Sequence, residues 1–164
     1  MLPSRIELLQ GMPVFGAIRE DALRFLLEQA RAVAVAAGGF FFRENDPAGS
    51  MFVLEAGRAA VVKHWQGREI VVHRLGAGDC FGEMAIMDLF PRSASVRADE
   101  DCRAIELDAA DLLRLFERDT EQFALIQMNI GREVCRRLRA TDEWLFRSRM
   151  GEAPPGLASL FQAA

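Results

Sequence analysis

At 164 residues the chain is long enough for one enclosed core and short for two, and its 51% hydrophobic and 27% charged residues are those of an ordinary globular protein. A formal charge of −4 excludes a general electrostatic grip on nucleic acid, because such affinity rests on Lys and Arg neutralising phosphates. Cys80, Cys102 and Cys135 are odd in number, far apart and without a CxxC pair, which argues against zinc, iron–sulfur or redox chemistry and fits reduced thiols in a cytoplasm.

The N-terminal stretch MLPSRIELLQGMPVF lacks the basic and apolar regions of a signal peptide, and no run reaches the ~18 apolar residues of a membrane span, so neither export nor anchoring is expected. Residues 3 to 10 and about 20 to 32 are predicted as helices: Ile6, Leu8 and Leu9, then Leu23, Phe25, Leu26 and Leu27, lie at helical spacing. Pro13 and Gly16 mark the break between them. From Val33 to about Leu107 the pattern changes to short apolar runs cut by turn residues, the signature of an antiparallel jelly-roll β-barrel. Asp46-Pro47 and Gly49-Ser50 form one turn, Gln66-Gly67 closes a hairpin, and Gly76-Ala77-Gly78-Asp79 makes a sharp corner.

Helical periodicity returns at Ala109 to Phe116, and again from Glu121 to about Arg147, where Phe123, Ile126, Ile130, Val134, Leu138 and Leu145 share a face. Gly131 is expected to weaken that long helix locally. Arg132, Arg136, Arg137, Arg139, Arg147 and Arg149 crowd its second half, and a solvated helix face explains them better than DNA contact. The fold class is therefore mainly β, with short N-terminal helices, a barrel over about 33–107 and C-terminal helices over about 109–149, as one domain of residues 1–149. Residues 150–164 contain Gly-Glu-Ala-Pro-Pro-Gly and are expected to form a mobile tail.

The most informative stretch is Phe81-Gly82-Glu83-Met84-Ala85-Ile86, a gap, then Pro91-Arg92-Ser93-Ala94-Ser95-Val96. It resembles the phosphate-binding cassette of cyclic-nucleotide-binding domains, F-G-E-[LM]-A followed by P-R-[SAT]-A-[TS]-V. Phe42-Arg43-Glu44-Asn45-Asp46, Gly57 and Leu75-Gly76-Ala77-Gly78-Asp79 resemble further family motifs in the right order, so the similarity covers roughly residues 12 to 145.

The resemblance implies a sensor without catalytic machinery that needs no cofactor and takes cAMP, or cGMP, as its ligand. Arg92 can offer two parallel N–H donors to a cyclic phosphate monoanion, a geometry Lys would not reproduce. Ser93 and Ala94 follow it, and Phe81, Met84 and Ala85 complete the cassette around Gly82, which allows close approach. Glu83 can accept a hydrogen bond from the ribose 2′-OH. For Arg92 and Glu83 the bland alternative is a surface ion pair. Val61 and Val72 fall where family members pack apolar side chains on sugar and base, although both are equally explained as core valines. His73 is read as an ordinary strand residue rather than a ligand contact.

In the long helix, Arg136 to Thr141 resembles the dimer helix of the cAMP receptor protein and FNR superfamily. Arg137 and Thr141 are the positions that approach phosphate and adenine there, and they share a face. Leu138, Thr141 and Leu145 follow the spacing of a two-helix seam, which implies a parallel homodimer through residues 121–147 and a modest preference for cAMP over cGMP. Thr141 bonding to its own helix backbone carries comparable weight, and Asp142 departs from the small hydroxyl residue common in relatives.

Signalling through this helix to a separate effector is expected, without direct DNA binding, because about 15 residues follow Arg149, too few for a helix-turn-helix. Alternatives are a sensor fragment of a transcription regulator or channel, a binder of cyclic di-GMP, and a phosphodiesterase. The last would want metal ligands or a general base beside the phosphorus.

Overall fold

A computed structural model describes residues 4–152. Helix α1 (Arg5–Gln10) starts where Ser4 caps it, the Ser4 hydroxyl accepting from the Glu7 N–H and the Glu7 carboxylate accepting from the Ser4 N–H. A 3-10 turn at Pro13–Phe15 leads to α2 (Glu20–Gln29). That helix stops short of the predicted residue 32, because Arg31–Val35 becomes strand β1 and pairs with β8 (Cys102–Asp108). A neighbouring strand settles there what helical periodicity left open.

Between β1 and β8 lie β2 (Phe40–Phe42), β3 (Ser50–Ala56), β4 (Ala59–Trp65), β5 (Arg68–Leu75), β6 (Cys80–Phe81), the short helix α3 (Met84–Asp88) and β7 (Ser95–Ala98). The strands form two four-stranded antiparallel sheets, ordered β1-β8-β3-β6 and β2-β7-β4-β5, which is the jelly roll expected, built as two sheets rather than one closed barrel. The inner faces bury Phe52, Leu54, Ala59, Leu75, Phe81, Val96 and Ala98 against one another, with Phe41 and Phe42 packed on them. Phe41 meets Phe81 edge-on at 5.0 Å between ring centroids, and Phe52 stacks on Phe81 at 5.2 Å.

Two turns fix the second sheet. Gln66 and Gly67, at φ 47° and 75°, make the two-residue turn of left-handed residues that matches hairpin twist, so β4 and β5 pair directly. Gly57 (φ +93°) lies so close to β8 that a Cβ there would stand 2.6 Å from the Asp101 carbonyl oxygen.

The outer face of the first sheet carries a second core. Met51, Val53, Ile105 and Leu107 pack there with Leu9, Phe15, Leu23 and Leu26 and with residues of the last two helices, α4 (Ala109–Arg118) and α5 (Thr120–Arg149). Asp108 and Asp119 cap these helices by accepting from the N–H groups of Asp111 and Gln122.

Helix α5 is one continuous 30-residue helix that runs through Gly131 unbroken. Its first half is docked: Ile126 and Ile130 are buried, and the buried Asn129 amide donates to the carbonyls of Val14 and Gly16 at 3.2 and 2.9 Å. Its second half projects, with Leu138, Leu145 and Phe146 exposed. Arg132, Arg136, Arg137 and Arg147 engage neighbours within the chain. The helix ends at Arg149 and is capped at Met150, and the tail expected over 150–164 lies, beyond Glu152, outside the described residues. Among the described residues no helix is long and apolar enough to cross a membrane.

Candidate functional site

The turn Arg43–Asp46 positions Arg92 through the backbone. The Asn45 N–H, in a left-handed residue, donates to the Arg92 carbonyl at 2.8 Å, and the Arg92 N–H donates to the Asp46 carbonyl at 3.0 Å. The Arg92 side chain then runs inward and is 6% exposed. Its Nη1 donates to the Ser50 and Gly82 carbonyl oxygens at 2.8 and 3.1 Å, and its Nη2 donates to the Ser50 hydroxyl at 3.1 Å. The guanidinium lies 4.0 Å over the Phe42 ring.

All three hydrogen bonds go to neutral oxygens, and the buried Nε has no hydrogen-bond partner among the described residues. Burial pulls the Arg92 pKa below its ordinary value. A buried cation without a paired carboxylate is costly, and that cost falls when an anion arrives. Gly82 makes the arrangement possible: at φ +76° it holds a left-handed turn, and a Cβ there would stand 2.7 Å from Arg92 Nη1.

Beside Arg92 opens a cleft of about 560 Å³, part of it open solvent. Of the sequence-predicted residues, Val61, Phe81, Gly82, Glu83, Met84, Ala85, Arg92, Ser93, Ala94 and Arg137 line it. Phe81 also belongs to the inner core, whereas Met84 is partly open to solvent. The Ser93 carbonyl accepts from Lys63 Nζ at 2.9 Å, which ties the cassette to β4. Helix α3 has five residues, so what it could offer an anion is individual N–H groups rather than a sizeable macrodipole.

Glu83 is 1% exposed, and its Oε1 accepts from Arg137 Nη1 of α5. Arg137 also reaches the Cys80 carbonyl at 3.5 Å and Glu133 at 3.8 Å. The surface-ion-pair alternative does not describe this geometry, because the carboxylate is buried and its partner bridges two elements. An ionised carboxylate has about four acceptor positions, so the pair leaves Glu83 capacity for a further donor. The Cys80 thiol lies 4.0 Å from Glu83 Oε2, and burial pushes its pKa well above the ordinary value.

Two expected residues stand elsewhere. Val72 does not line the cleft; His73 does. Strand alternation is the reason: His73 pairs with Val61 and Leu75 with Ala59, so His73 and Leu75 share the inner face, while the register slips past Val72 between the pairs Val61–His73 and Val62–Val71. His73, read from the sequence as an ordinary strand residue, is thus among the residues that line the cleft. Leu75, the apolar residue two positions on, is the signal that points to it. Thr141 is exposed, does not line the cleft, and donates to the Arg137 carbonyl at 2.9 Å, the backbone alternative. Phe42, Pro91 and Val96, which the sequence offered as motif residues rather than as contacts, also line the cleft, as does Asp88, which no motif contains.

The profile of the cyclic nucleotide-binding domain family matches residues 32–119. The chain belongs to that family. Among curated relatives of the domain, a CRP-like cAMP-activated global transcriptional regulator of Mycobacterium tuberculosis is 28% identical over 137 residues, which cover 83% of this chain and 59% of the regulator. Among solved structures, the catabolite activator protein of Thermus thermophilus superposes with a TM-score of 0.72 at 28% identity, over 81% of this chain and 61% of that one. A cyclic nucleotide-binding domain from Methylobacillus flagellatus, at a TM-score of 0.77 and 21% identity over 91% of this chain and 84% of that one, shares the fold. The chain spans about three fifths of the length of the regulators it resembles. The segment from Phe81 to Val96, which resembles the family's phosphate-binding cassette, supplies most of the residues that line the cleft.

Proposed function

We propose that the chain binds a cyclic purine mononucleotide in this cleft, cAMP in preference to cGMP, and that occupancy is signalled through α5 to a separate effector in the cytoplasm. The observation that carries the reading is Arg92, a buried guanidinium with neutral partners at the edge of an open cleft. A cyclic phosphate supplies the missing anion, and Glu83 beside it offers an acceptor to a ribose hydroxyl. The relative described as cAMP-activated supports the choice of nucleotide, and its being a regulator supports sensing over turnover.

The exposed Leu138, Leu145 and Phe146 on the projecting half of α5 support a homodimer along that helix, with Thr141 in the seam. A ligand can shift how α5 packs only if it binds one arrangement better than another. Arg137 is the side chain placed to convey that difference, since it belongs to α5 and lines the cleft.

Calorimetric titration with cAMP, cGMP and cyclic di-GMP tests the reading. One cyclic mononucleotide per domain, with cAMP tightest, is expected; no heat with either mononucleotide would end it. Release of nucleoside monophosphate on prolonged mixing would replace the sensor by an enzyme. Light scattering that shows a monomer with and without nucleotide would remove the dimer.

A further inference from the structure

Among the described residues Arg92 has no carboxylate as a hydrogen-bond partner, yet the sheet it lies on carries one. Ser50 of β3, which accepts from both Nη atoms of Arg92, pairs with Asp108 of β8. Phe52, whose ring centroid lies 5.7 Å from the guanidinium carbon, pairs with Glu106. Cross-strand partners point to the same side of a sheet, and Phe52 belongs to the inner core, so Glu106 also faces the interior of the jelly roll. On its other flank Glu106 pairs with Arg31 of β1, and Arg31 Nη2 meets Glu106 Oε2 at 3.1 Å. The Glu106 side chain is 15% exposed, that of Arg31 68%. The strand order β1-β8-β3 therefore sets Arg31, Glu106 and the residues that hold Arg92 side by side.

Two other carboxylates approach Arg92, and both are engaged elsewhere: Asp46 accepts from the Arg43 N–H at 2.8 Å, and Glu83 accepts from Arg137. Burial lowers the Arg92 pKa, and Glu106, then Asp46 and Glu83, pull it back up, so Glu106 is the carboxylate that Arg92 feels most. Glu106 stabilises the buried cation and, by the same attraction, offsets part of the positive potential that an anion would meet. Arg31 competes for that carboxylate. Neither Arg31 nor Glu106 lines the cleft. We propose that Glu106 is a positioning residue that acts through Arg92 to set the affinity for a phosphate, with the surface Arg31 tuning it from outside the cleft. This rests on the assignment of the cleft to a cyclic mononucleotide.

The signs follow from Coulomb's law in a medium of reduced dielectric. Removing the Glu106 charge leaves the Arg92 cation less compensated before ligand arrives, and so raises what a phosphate gains by binding. Removing the Arg31 charge leaves Glu106 to Arg92 alone and lowers that gain. A merely structural role would give one sign for both changes, since a loosened strand pair weakens binding in either case.

The test is calorimetric titration of cAMP and cGMP into wild type, Glu106→Gln, Arg31→Gln and the double variant, each checked for folding by circular dichroism. Glu106→Gln, close in shape and without charge, should tighten both nucleotides by roughly three- to tenfold. Arg31→Gln should weaken them by roughly two- to fivefold, in the range of a partly exposed ion pair. In the double variant Arg31→Gln should add nothing to the effect of Glu106→Gln. Arg31→Gln changes an exposed side chain and stands in if the Glu106 variant does not fold. Unchanged or weaker binding by folded Glu106→Gln, unchanged binding by Arg31→Gln, or an Arg31→Gln effect of the same size with and without the Glu106 charge would overturn the role of Glu106 while leaving the site intact. Failure of both nucleotides to bind wild type would overturn the site itself and the role with it.

Discussion

Glu83 and Arg137 are 54 residues apart in sequence and form an ion pair that joins the cassette to the projecting half of α5. The carboxylate is almost completely buried, whereas the arginine side chain keeps about a quarter of its surface. Removing the arginine strands a buried charge, and removing the carboxylate's charge leaves a cation that can turn to solvent. Arg137→Met should therefore destabilise the fold by about 1–3 kcal/mol, a value reduced from that of fully buried pairs because Arg137 is partly solvated. Glu83→Gln should cost less, and Glu83→Gln combined with Arg137→Met should cost less than the sum. Urea denaturation of the three variants measures the cycle, and simple additivity would show that the pair contributes no coupling.

Gly82 and Gly131 should respond in opposite ways to alanine. At Gly82 the backbone is left-handed and the new Cβ would collide with Arg92 Nη1, so Gly82→Ala should destabilise by about 1–2 kcal/mol and weaken nucleotide binding further by displacing the guanidinium. At Gly131 nothing lies within 4 Å of an added Cβ in a helix interior, so Gly131→Ala should stabilise by about 0.5–1 kcal/mol. Thermal melts of both variants check the signs.

Arg92→Lys keeps a positive charge but loses the planar fork that bonds Ser50 and Gly82 at once. It should weaken cAMP by roughly ten- to a hundredfold, corresponding to about 1.5–3 kcal/mol for a charge-assisted contact. Calorimetry on the folded variant is the measurement. A lysine variant that binds as wild type would mean that charge alone, without the fork, holds the phosphate.

His73 gives folding a pH dependence. The unfolded chain takes up this proton near pH 6.5 and the folded chain only near 4, so between those values the unfolded state holds more protons. The contribution of a neutral His73 is complete above about pH 6.5 and is lost as pH falls towards 4, reaching at most about 2 kcal/mol by pH 5. His73→Leu should flatten the fall in urea midpoint between pH 7 and pH 5. Parallel curves for wild type and variant would show that the imidazole is not held neutral.

Much of the architecture follows from local chemistry that a single strand of text carries. Gln66-Gly67 can form a tight hairpin turn wherever it occurs between two strands, and the apolar spacing from Phe123 to Ile130 specifies a buried helix face, while resemblance of the cassette and its flanking corners to a known family implied the jelly roll and the proposed anion site at Arg92. Other features depend on pairings between distant segments. Arg31–Val35 became a strand because β8 was there to receive it, and the N-terminal helix ended early as a result. Val72 and His73 are adjacent and equally plausible as text, and only the register of β5 against β4, with its slip past Val72, decides which one enters the cleft. Glu83 and Arg137 could each be read as a ligand contact from sequence, yet their meeting required α5 to dock on the body through Ile126, Asn129 and Ile130. Residue type and spacing determine what a segment can form and what chemistry it can offer; which side chains face each other across a cleft is decided by strand register and helix docking, whose energies come from surfaces that are far apart until the chain folds.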